Sequence, residues 1–301
     1  MSVSLISSIK QAVLPVKQAP RDDKPGARPP ATGKDTLSTS ADAKWHYRGI
    51  SSGYQINWRS DDLEAWRAQD KSQSKPVFSV RQNLVDYCKD PAQGKFECAG
   101  ERRSAVEMTS VVGKYLGVLE TDTGFVRGAG QSREEQNWRR KYLQTINLDT
   151  GRPVKLTDAF PERDIFNALM NDPVIKKALK GASPRNLTEL KAAVAGYRSE
   201  DGRFTLDGLG DNFTFHHVKG DKVAVRVSLP HGAPEWSDSL TQLGLYLPIP
   251  AGLERDLYRA NAIEDGTGTK QGMLWDEAQR RFGKFGDTHT FIELPAARSG
   301  N

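Results

Sequence analysis

Short runs of alternating apolar and polar residues begin near position 45. Aromatic and β-branched residues alternate over 45–58 on both sides of Ser51–Gly53, which predicts a β-hairpin with its turn at these three residues. Ser60–Trp66 starts with a serine and two aspartates, and this pattern predicts a short helix with a side-chain cap. Val77–Val80 predicts one more strand.

Longer aliphatic and β-branched runs follow in the next part of the chain. They predict strands at Val111–Leu119, Phe125–Val126 and Tyr142–Leu148, and the Asp, Thr and Gly residues between them favour turns. Such spacing is typical of antiparallel hairpins.

The pattern becomes helical after Thr157 and returns to alternation later. The predicted helices are Ile165–Met170, Pro173–Leu179 and Leu187–Gly196, the last with Asn186 or Thr188 near its cap, and a final helix is Trp275–Phe282. The later strands are Arg203–Leu206, Phe213–Val218, Lys222–Leu229 and Leu243–Ile249. Because helices separate two β blocks, the sequence predicts an α+β fold, with antiparallel sheets and two or three helices packed on one face.

The composition is polar for a fully folded chain. Hydrophobic residues make up 37% of the 301 positions and the mean hydropathy is −0.61, which predicts an unfolded or extended part. No apolar run reaches the length of about 18 residues that a membrane span needs. The 43 Lys and Arg exceed the 38 Asp and Glu by only five, so the charge does not support nucleic-acid binding.

Residues 1–44 are predicted to be a disordered leader, because they are rich in Pro, Gly, Ser and Thr. Four apolar residues before Pro15 recur at helical spacing: Leu5, Ile6, Ile9 and Val13. They predict either a docking or secretion segment or a floppy terminus that is apolar on one side. The leader lacks the features of a standard secretory signal. The remaining predicted segments are 45–112, an N-terminal α+β subdomain, 113–252, a second α+β domain, and 253–301, a C-terminal helix and tail.

A hairpin motif followed by a helix entry lies in the second predicted domain. Its residues are Asn147, Asp149, Thr150, Gly151, Leu156, Asp158 and Phe160. Together with the later strands FTLDGLGDNFTFHHV, VAVRVSLP and LGLYLPIP, the motif resembles the RsiV-like domain of unknown function, over roughly 113–250. RsiV-type anti-sigma factors and PdaC-type deacetylases share this domain. The resemblance implies architecture more than activity, because the domain is not the catalytic one in the deacetylase relatives.

The same motif residues have a physical interpretation of their own. A turn with glycine at 151 suits a positive φ, and Leu156, Asp158 and Phe160 supply apolar anchors and a cap where the helices begin. The motif is therefore predicted to make the fold rather than a catalytic site.

Four residues are the best candidates for a metal site: His216, His217, His231 and Glu235. Because His216 and His217 are consecutive in a predicted strand, we expect their side chains to point to opposite faces. Pro230, Gly232 and Pro234 exclude the helix that would align His231 with Glu235. We therefore predict no metal site and no catalytic residues, and no cofactor is expected.

The two cysteines, Cys88 and Cys98, flank a short segment that contains Pro91 and Gly94. This arrangement favours a local disulfide, which stabilises by about 2–3 kcal/mol when oxidised. The alternative is a pair of free thiols in a reducing cytosol. A zinc site would need two more ligands nearby.

Basic residues cluster around an aromatic one between two predicted strands. This region is interpreted as a loop, and it is the first choice for a partner surface. The predicted contact residues are Arg127, Trp138, Arg139 and Arg140, with Arg133 and Lys141 beside them. The alternative is a solvated hairpin. Trp236, within Pro234–Leu240, is the second choice.

The leading hypothesis is a non-enzymatic binding or sensor module of a bacterial envelope or secreted protein. Its ligand would be a protein or a peptidoglycan-related molecule. One rival is an exported effector or immunity-type interaction protein that uses the leader for secretion or docking, and another is an enzyme of unrecognised type. An extracytoplasmic location, periplasmic or reached by a non-Sec route, is favoured over the cytoplasm.

Overall fold

The computed structural model describes ten stretches of the chain, and all of them fall in one compact unit, Asp42–Asn301. The stretches are 47–59, 62–70, 72–89, 101–125, 137–200, 202, 204–229, 240–262, 272–282 and 289–292. Backbone alone is described at 84, 85, 87–89, 101–104, 122–125, 137–140, 142, 240, 241, 279–282 and 289–292. The predicted leader 1–44 lies outside the described residues.

The first of three four-stranded sheets is formed by the N-terminal part of the unit. Its strands are β1 (Tyr47–Ser51), β2 (Tyr54–Arg59), β3 (Asp62–Arg67) and β4 (Phe78–Ser79), antiparallel and in that order. The predicted β1–β2 hairpin is confirmed. Its turn residues Ser52 and Gly53 have φ values of 46° and 82°, the conformation of a tight two-residue hairpin turn.

The predicted helix at Ser60–Trp66 is wrong, because residues from Asp62 onward form β3. Leu63 and Ala65 are fully buried and pair with Trp58 and Ile56 of β2, so pairing and burial outweigh the local capping signal. The Asp62 carboxylate does cap a helix, but a distant one. It accepts a hydrogen bond from the backbone N–H of Arg81 at 3.1 Å, in the first turn of α1 (Val80–Lys89), which the sequence analysis missed.

The second sheet contains the longest strands. They are β5 (Glu101–Val112), β6 (Tyr115–Phe125), β7 (Asn137–Asn147) and β8 (Arg152–Val154), antiparallel and in that order. The prediction of one strand over Val111–Leu119 is wrong, since the chain reverses at Gly113 and Lys114 between β5 and β6. Gly113 has φ +57°, and the Asp256 carboxylate occupies the space that a side chain would need.

The helices that follow lie close to their predicted positions. They are α2 (Leu156–Ala159), α3 (Glu162–Asn171), α4 (Pro173–Leu179) and α5 (Leu187–Val194). The side chain of Asp172 caps α4 by accepting from the Ile175 N–H at 2.9 Å, and Asn186 caps α5 by accepting from the Glu189 N–H at 2.8 Å. The predicted cap at Asn186 is confirmed.

The third sheet has the order β12-β11-β10-β9. Its strands are β9 (Phe213–Lys219), β10 (Lys222–Leu229), β11 (Leu240–Pro248) and β12 (His289–Ile292), of which only β12 is parallel to its neighbour. Two further helices are α6 (Glu254–Asn261) and α7 (Trp275–Phe282). Of the predicted strand Arg203–Leu206, the described residues 204–206 contribute only an isolated bridge, between Thr205 and Arg198. The α+β class is confirmed.

Two hydrophobic clusters hold these layers together. In one, the aliphatic and aromatic face of β9–β11 packs under α3–α5, and Phe213, Phe215 and Leu190 are fully buried there. The other joins the first two sheets to α7, whose Trp275 is also fully buried. No helix among the described stretches is both long and apolar enough to cross a bilayer.

The second and third sheets meet through a buried cluster of hydroxyl groups. The Thr214 Oγ1 atom lies 2.8 Å from Thr109 Oγ1 and 2.9 Å from Ser110 Oγ, within hydrogen-bonding distance of both. The pairing of β5 with β6 shifts register at Thr109, which brings both hydroxyls to this face. A Cβ atom on Gly117 would overlap all three side chains, so only glycine allows this close approach.

Candidate functional site

The residues of the hairpin motif at the end of β7 form structural hydrogen bonds. The Asn147 side chain accepts from the Asp149 N–H at 2.9 Å, and Gly151 turns the chain with φ +67°. The Asp149 carboxylate accepts from the Tyr54 hydroxyl at 2.6 Å and from the Lys114 ammonium at 2.8 Å. The Lys114 and Tyr54 hydrogen bonds lower the pKa of Asp149, while burial and the Asp149 contact raise that of Tyr54 to about 12. The motif thus ties the first sheet to the second.

The second half of the motif starts the helical layer, as its physical interpretation predicts. The Asp158 carboxylate accepts from the Lys155 N–H at 2.8 Å, which caps α2. Leu156 and Phe160 are 1% and 2% exposed and belong to the core under α3–α5. These residues are anchors and a cap.

The predicted partner surface lies in a strand rather than in a loop. Trp138, Arg139 and Arg140 belong to β7, which begins five residues earlier than the predicted strand, whereas Arg127 lies outside the described residues. Arg139 pairs with Thr123 of β6, and Thr123 pairs with Arg103 of β5. Long-range pairing along β6 explains the difference, because the charged sequence has little strand propensity of its own.

The pairing of the strands that carry these residues continues past the buried Leu119 and Leu143. Leu119 and Leu143 are each 1% exposed, but the pairing continues to Phe125 and Asn137, roughly 20 Å further at about 3.4 Å per residue. β8 pairs with β7 only at 145–147. Along 137–144, β7 is therefore paired with β6 alone among the described strands.

His216 and His217 lie side by side, contrary to the expectation of opposite faces. The pairing of β9 with β10 shifts register between Ala224 and Val225, which leaves His216 as an extra residue in a β-bulge. The two Nδ1 atoms are 2.6 Å apart and the ring centroids 4.9 Å apart. A bulge breaks the strict alternation on which the expectation depended.

The two rings are part of a longer hydrogen-bonded chain. The Arg226 guanidinium, on β10, donates to His216 Nε2 at 2.7 Å, and His217 Nε2 lies 3.1 Å from the hydroxyl of Tyr246 on β11. A guanidinium only donates, so His216 Nε2 is the acceptor and the proton of neutral His216 is on Nδ1. His216 Nδ1 then donates to His217 Nδ1, and His217 donates through Nε2 to Tyr246. We refer to Arg226, His216, His217 and Tyr246 as the histidine network.

Burial governs the electrostatics of the histidine network. Arg226 is 8% exposed, stacks over the Trp275 ring at 4.5 Å, and donates to the Gln242 side-chain oxygen at 3.1 Å. Burial lowers the pKa of Arg226 to about 10. Burial, followed by the Arg226 and His217 charges, lowers the pKa of His216 to about 3. His216 is thus neutral at physiological pH, which agrees with its role as an acceptor.

The sequence contains one signal for this network. Arg226 interrupts the apolar strand KVAVRVSL, and a cation within such a strand needs acceptors close by. Its partners come from β9, β11 and α7, and sequence spacing does not identify them. Within the described stretches, no group of three His, Cys, Asp or Glu residues is arranged to hold a metal, while His231 and Glu235 lie outside them.

The cysteine prediction falls largely outside the described part of the chain. Cys88 is in α1, where only its backbone is described, and Cys98 is not described. The disulfide stays a prediction. The second-choice surface at Trp236 also lies outside the described residues.

No protein-family model matches the chain, and no curated protein matches it. The resemblance to the RsiV-like domain stays a prediction carried by its motif residues.

Proposed function

We propose that the protein is a non-enzymatic binding or sensor module of a bacterial envelope or secreted protein, related to the RsiV-like domain. Its ligand is a protein or a peptidoglycan-related molecule. A periplasmic or secreted location and the Cys88–Cys98 disulfide are part of the same proposal.

The observation that carries the proposal is the continued pairing of β5, β6 and β7 past the buried Leu119 and Leu143. This part of the sheet bears Arg139, Arg140 and Lys141 on its outer strand, next to Trp138. Basic residues beside an aromatic one are enriched at binding hot spots. A paired three-stranded sheet also holds its residues in a defined spacing, which reduces the entropy lost when a ligand binds. Such a surface is consistent with ligand binding without catalysis.

The chemistry of this surface favours an acidic ligand. Arginine donates paired hydrogen bonds to carboxylates, and peptidoglycan stem peptides and acidic protein surfaces both present carboxylates. Such contacts weaken as salt is added, because charges are screened beyond about 8 Å at physiological ionic strength.

The test measures binding of the purified chain to isolated bacterial cell-wall sacculi and to a purified envelope-protein fraction. The variants Arg139→Glu with Arg140→Glu, and Trp138→Ala, should lose at least tenfold in affinity. The matched control is Arg163→Glu with Arg255→Glu, which reverses two exposed charges on α3 and α6 and should bind as the unmodified chain does.

Circular dichroism and melting temperature check that each variant is folded. Equal binding by the Arg139/Arg140 variant and the unmodified chain would remove the proposed surface. No binding to either fraction by the unmodified chain would remove the ligand classes and favour the effector or immunity hypothesis.

A further inference from the structure

The histidine network is a buried cluster of titratable groups whose hydrogen bonds define proton positions. Each of its hydrogen bonds joins a different pair of groups: Arg226 to His216, His216 to His217, and His217 to Tyr246. It therefore connects β9, β10 and β11 at the bulge. Trp275 of α7 lies against the same groups, 6.1 Å from the His216 ring and 4.5 Å from the Arg226 guanidinium carbon.

Only one arrangement of protons satisfies these contacts. His216 Nε2 must carry a lone pair because it faces a guanidinium, and the short Nδ1 to Nδ1 contact holds a single proton. A second proton on His216 would place an N–H against the Arg226 N–H. A second proton on His217 would place two N–H groups against each other at 2.6 Å. Either protonation breaks one hydrogen bond and adds a positive charge beside a buried cation.

We propose that protonation of the His216–His217 pair releases β9 from α7, so that the fold contains an acid-sensitive conformational switch. The switch is separate from the proposed ligand surface on β7, and it requires no particular ligand. Below neutral pH, the opened form takes up the proton that the closed form excludes, and the equilibrium moves toward the opened form.

Other groups near His216 and His217 could also change protonation state over the same pH range. On the faces toward β5, β6 and β7, β9 meets uncharged groups, namely the hydroxyls of Thr109, Ser110 and Thr145 and the backbone at Gly117. Charged or titratable residues on the elements packed against β9 include Lys222 and Arg226 on β10, Glu107 on β5, Lys141 on β7, Glu254, Arg255, Asp256 and Arg259 on α6, and Asp276, Glu277, Arg280 and Arg281 on α7, and Lys219 lies over the Tyr246 ring. Burial raises the pKa of Glu107 to about 7, so this carboxyl group also changes protonation state between pH 5 and pH 8.

The first experiment reads the proton positions directly in the full chain. Imidazole ¹⁵N chemical shifts at pH 7.5 should place the His216 proton on Nδ1 and the His217 proton on Nε2. The reverse assignment for either ring would overturn the proposal, and this measurement needs no variant.

The second experiment measures opening. Amide hydrogen exchange of β9 and α7, corrected for the intrinsic exchange rate, is compared at pH 6.5 and pH 5. With a closed-state pKa of about 3 for His216 against an ordinary value near 6.5, the opening constant should rise about fifteenfold. Exchange in α3, on the other side of the sheet, should change much less.

Three variants separate the pair from other titrating groups. His216→Gln and His217→Asn keep an acceptor at the relevant position but do not titrate. His216→Gln should reduce the fifteenfold rise to less than threefold, whereas His217→Asn should reduce it less, because burial and the Arg226 charge still lower the pKa of His216. Glu107→Gln should keep the fifteenfold rise. An unchanged rise in His216→Gln, or no rise in the unmodified chain, would overturn the switch. Retained ligand binding by the β7 variants would remove the proposed surface but leave the switch intact.

Discussion

Glu107 gives the most quantitative prediction about stability. Its carboxyl group is on β5, opposite Leu119, and the Oε2 atom is buried with no hydrogen-bond partner among the described residues. Burial raises its pKa to about 7, against an opposing effect of Lys141. Because the folded pKa lies above the ordinary value of 4.5, the folded protein binds the proton more tightly than the unfolded chain, and stability falls as pH rises.

The magnitude follows from the two pKa values. Between pH 5 and pH 8 the cost of ionising the buried carboxyl grows by about 2.5 kcal/mol, most of it below pH 7. Replacing Glu107 with glutamine removes this titration. The unfolding free energy of Glu107→Gln minus that of the unmodified chain should therefore increase by about 2.5 kcal/mol over this range.

Urea unfolding at pH 5, 6, 7 and 8, followed by tryptophan fluorescence, measures the difference. Glu107→Met is the matched control: its absolute stability will differ from that of the glutamine variant, but its pH dependence relative to the unmodified chain should be the same. A difference that stays constant within 0.5 kcal/mol, roughly the spread of ordinary surface substitutions, would refute the reasoning.

Two further predictions concern packing and capping. Gly117→Ala should lower the unfolding free energy by about 1–3 kcal/mol, because its Cβ would overlap the hydroxyls of Thr109, Ser110 and Thr214. The control is Gly252→Ala, whose added Cβ meets no atom within 4 Å. Equal losses of stability in the two variants, measured by urea unfolding, would contradict this account. Asn186→Ala should cost about 1 kcal/mol by removing the cap of α5. Thr188→Ala on the exposed side of the same turn should cost clearly less, and a larger loss from Thr188→Ala would show that the cap is misassigned.

The candidate site shows how far sequence reasoning reaches at a β-bulge. Alternation correctly assigned β9 and β10 and their apolar faces, because Phe213, Phe215, Val225 and neighbouring residues repeat every second position. The same rule gave the wrong relation between His216 and His217. A bulge depends on how β9 pairs with β10, and no single residue in FTFHHVK announces it.

The sequence by itself determined the elements whose signals are local. Apolar spacing and the Asn186 cap predict α3–α5, and the turn residues Ser52 and Gly53 predict the first hairpin. Each of these signals depends only on residues a few positions apart. The tertiary structure decided the rest. Residues 62–67 form β3 instead of the predicted helix because Leu63 and Ala65 are buried against β2. Arg226 and His216 contact Trp275 because β9, β10 and α7 pack together. Burial and long-range pairing outweigh local preferences of a few tenths of a kcal/mol per residue, and they depend on residues far apart in the chain.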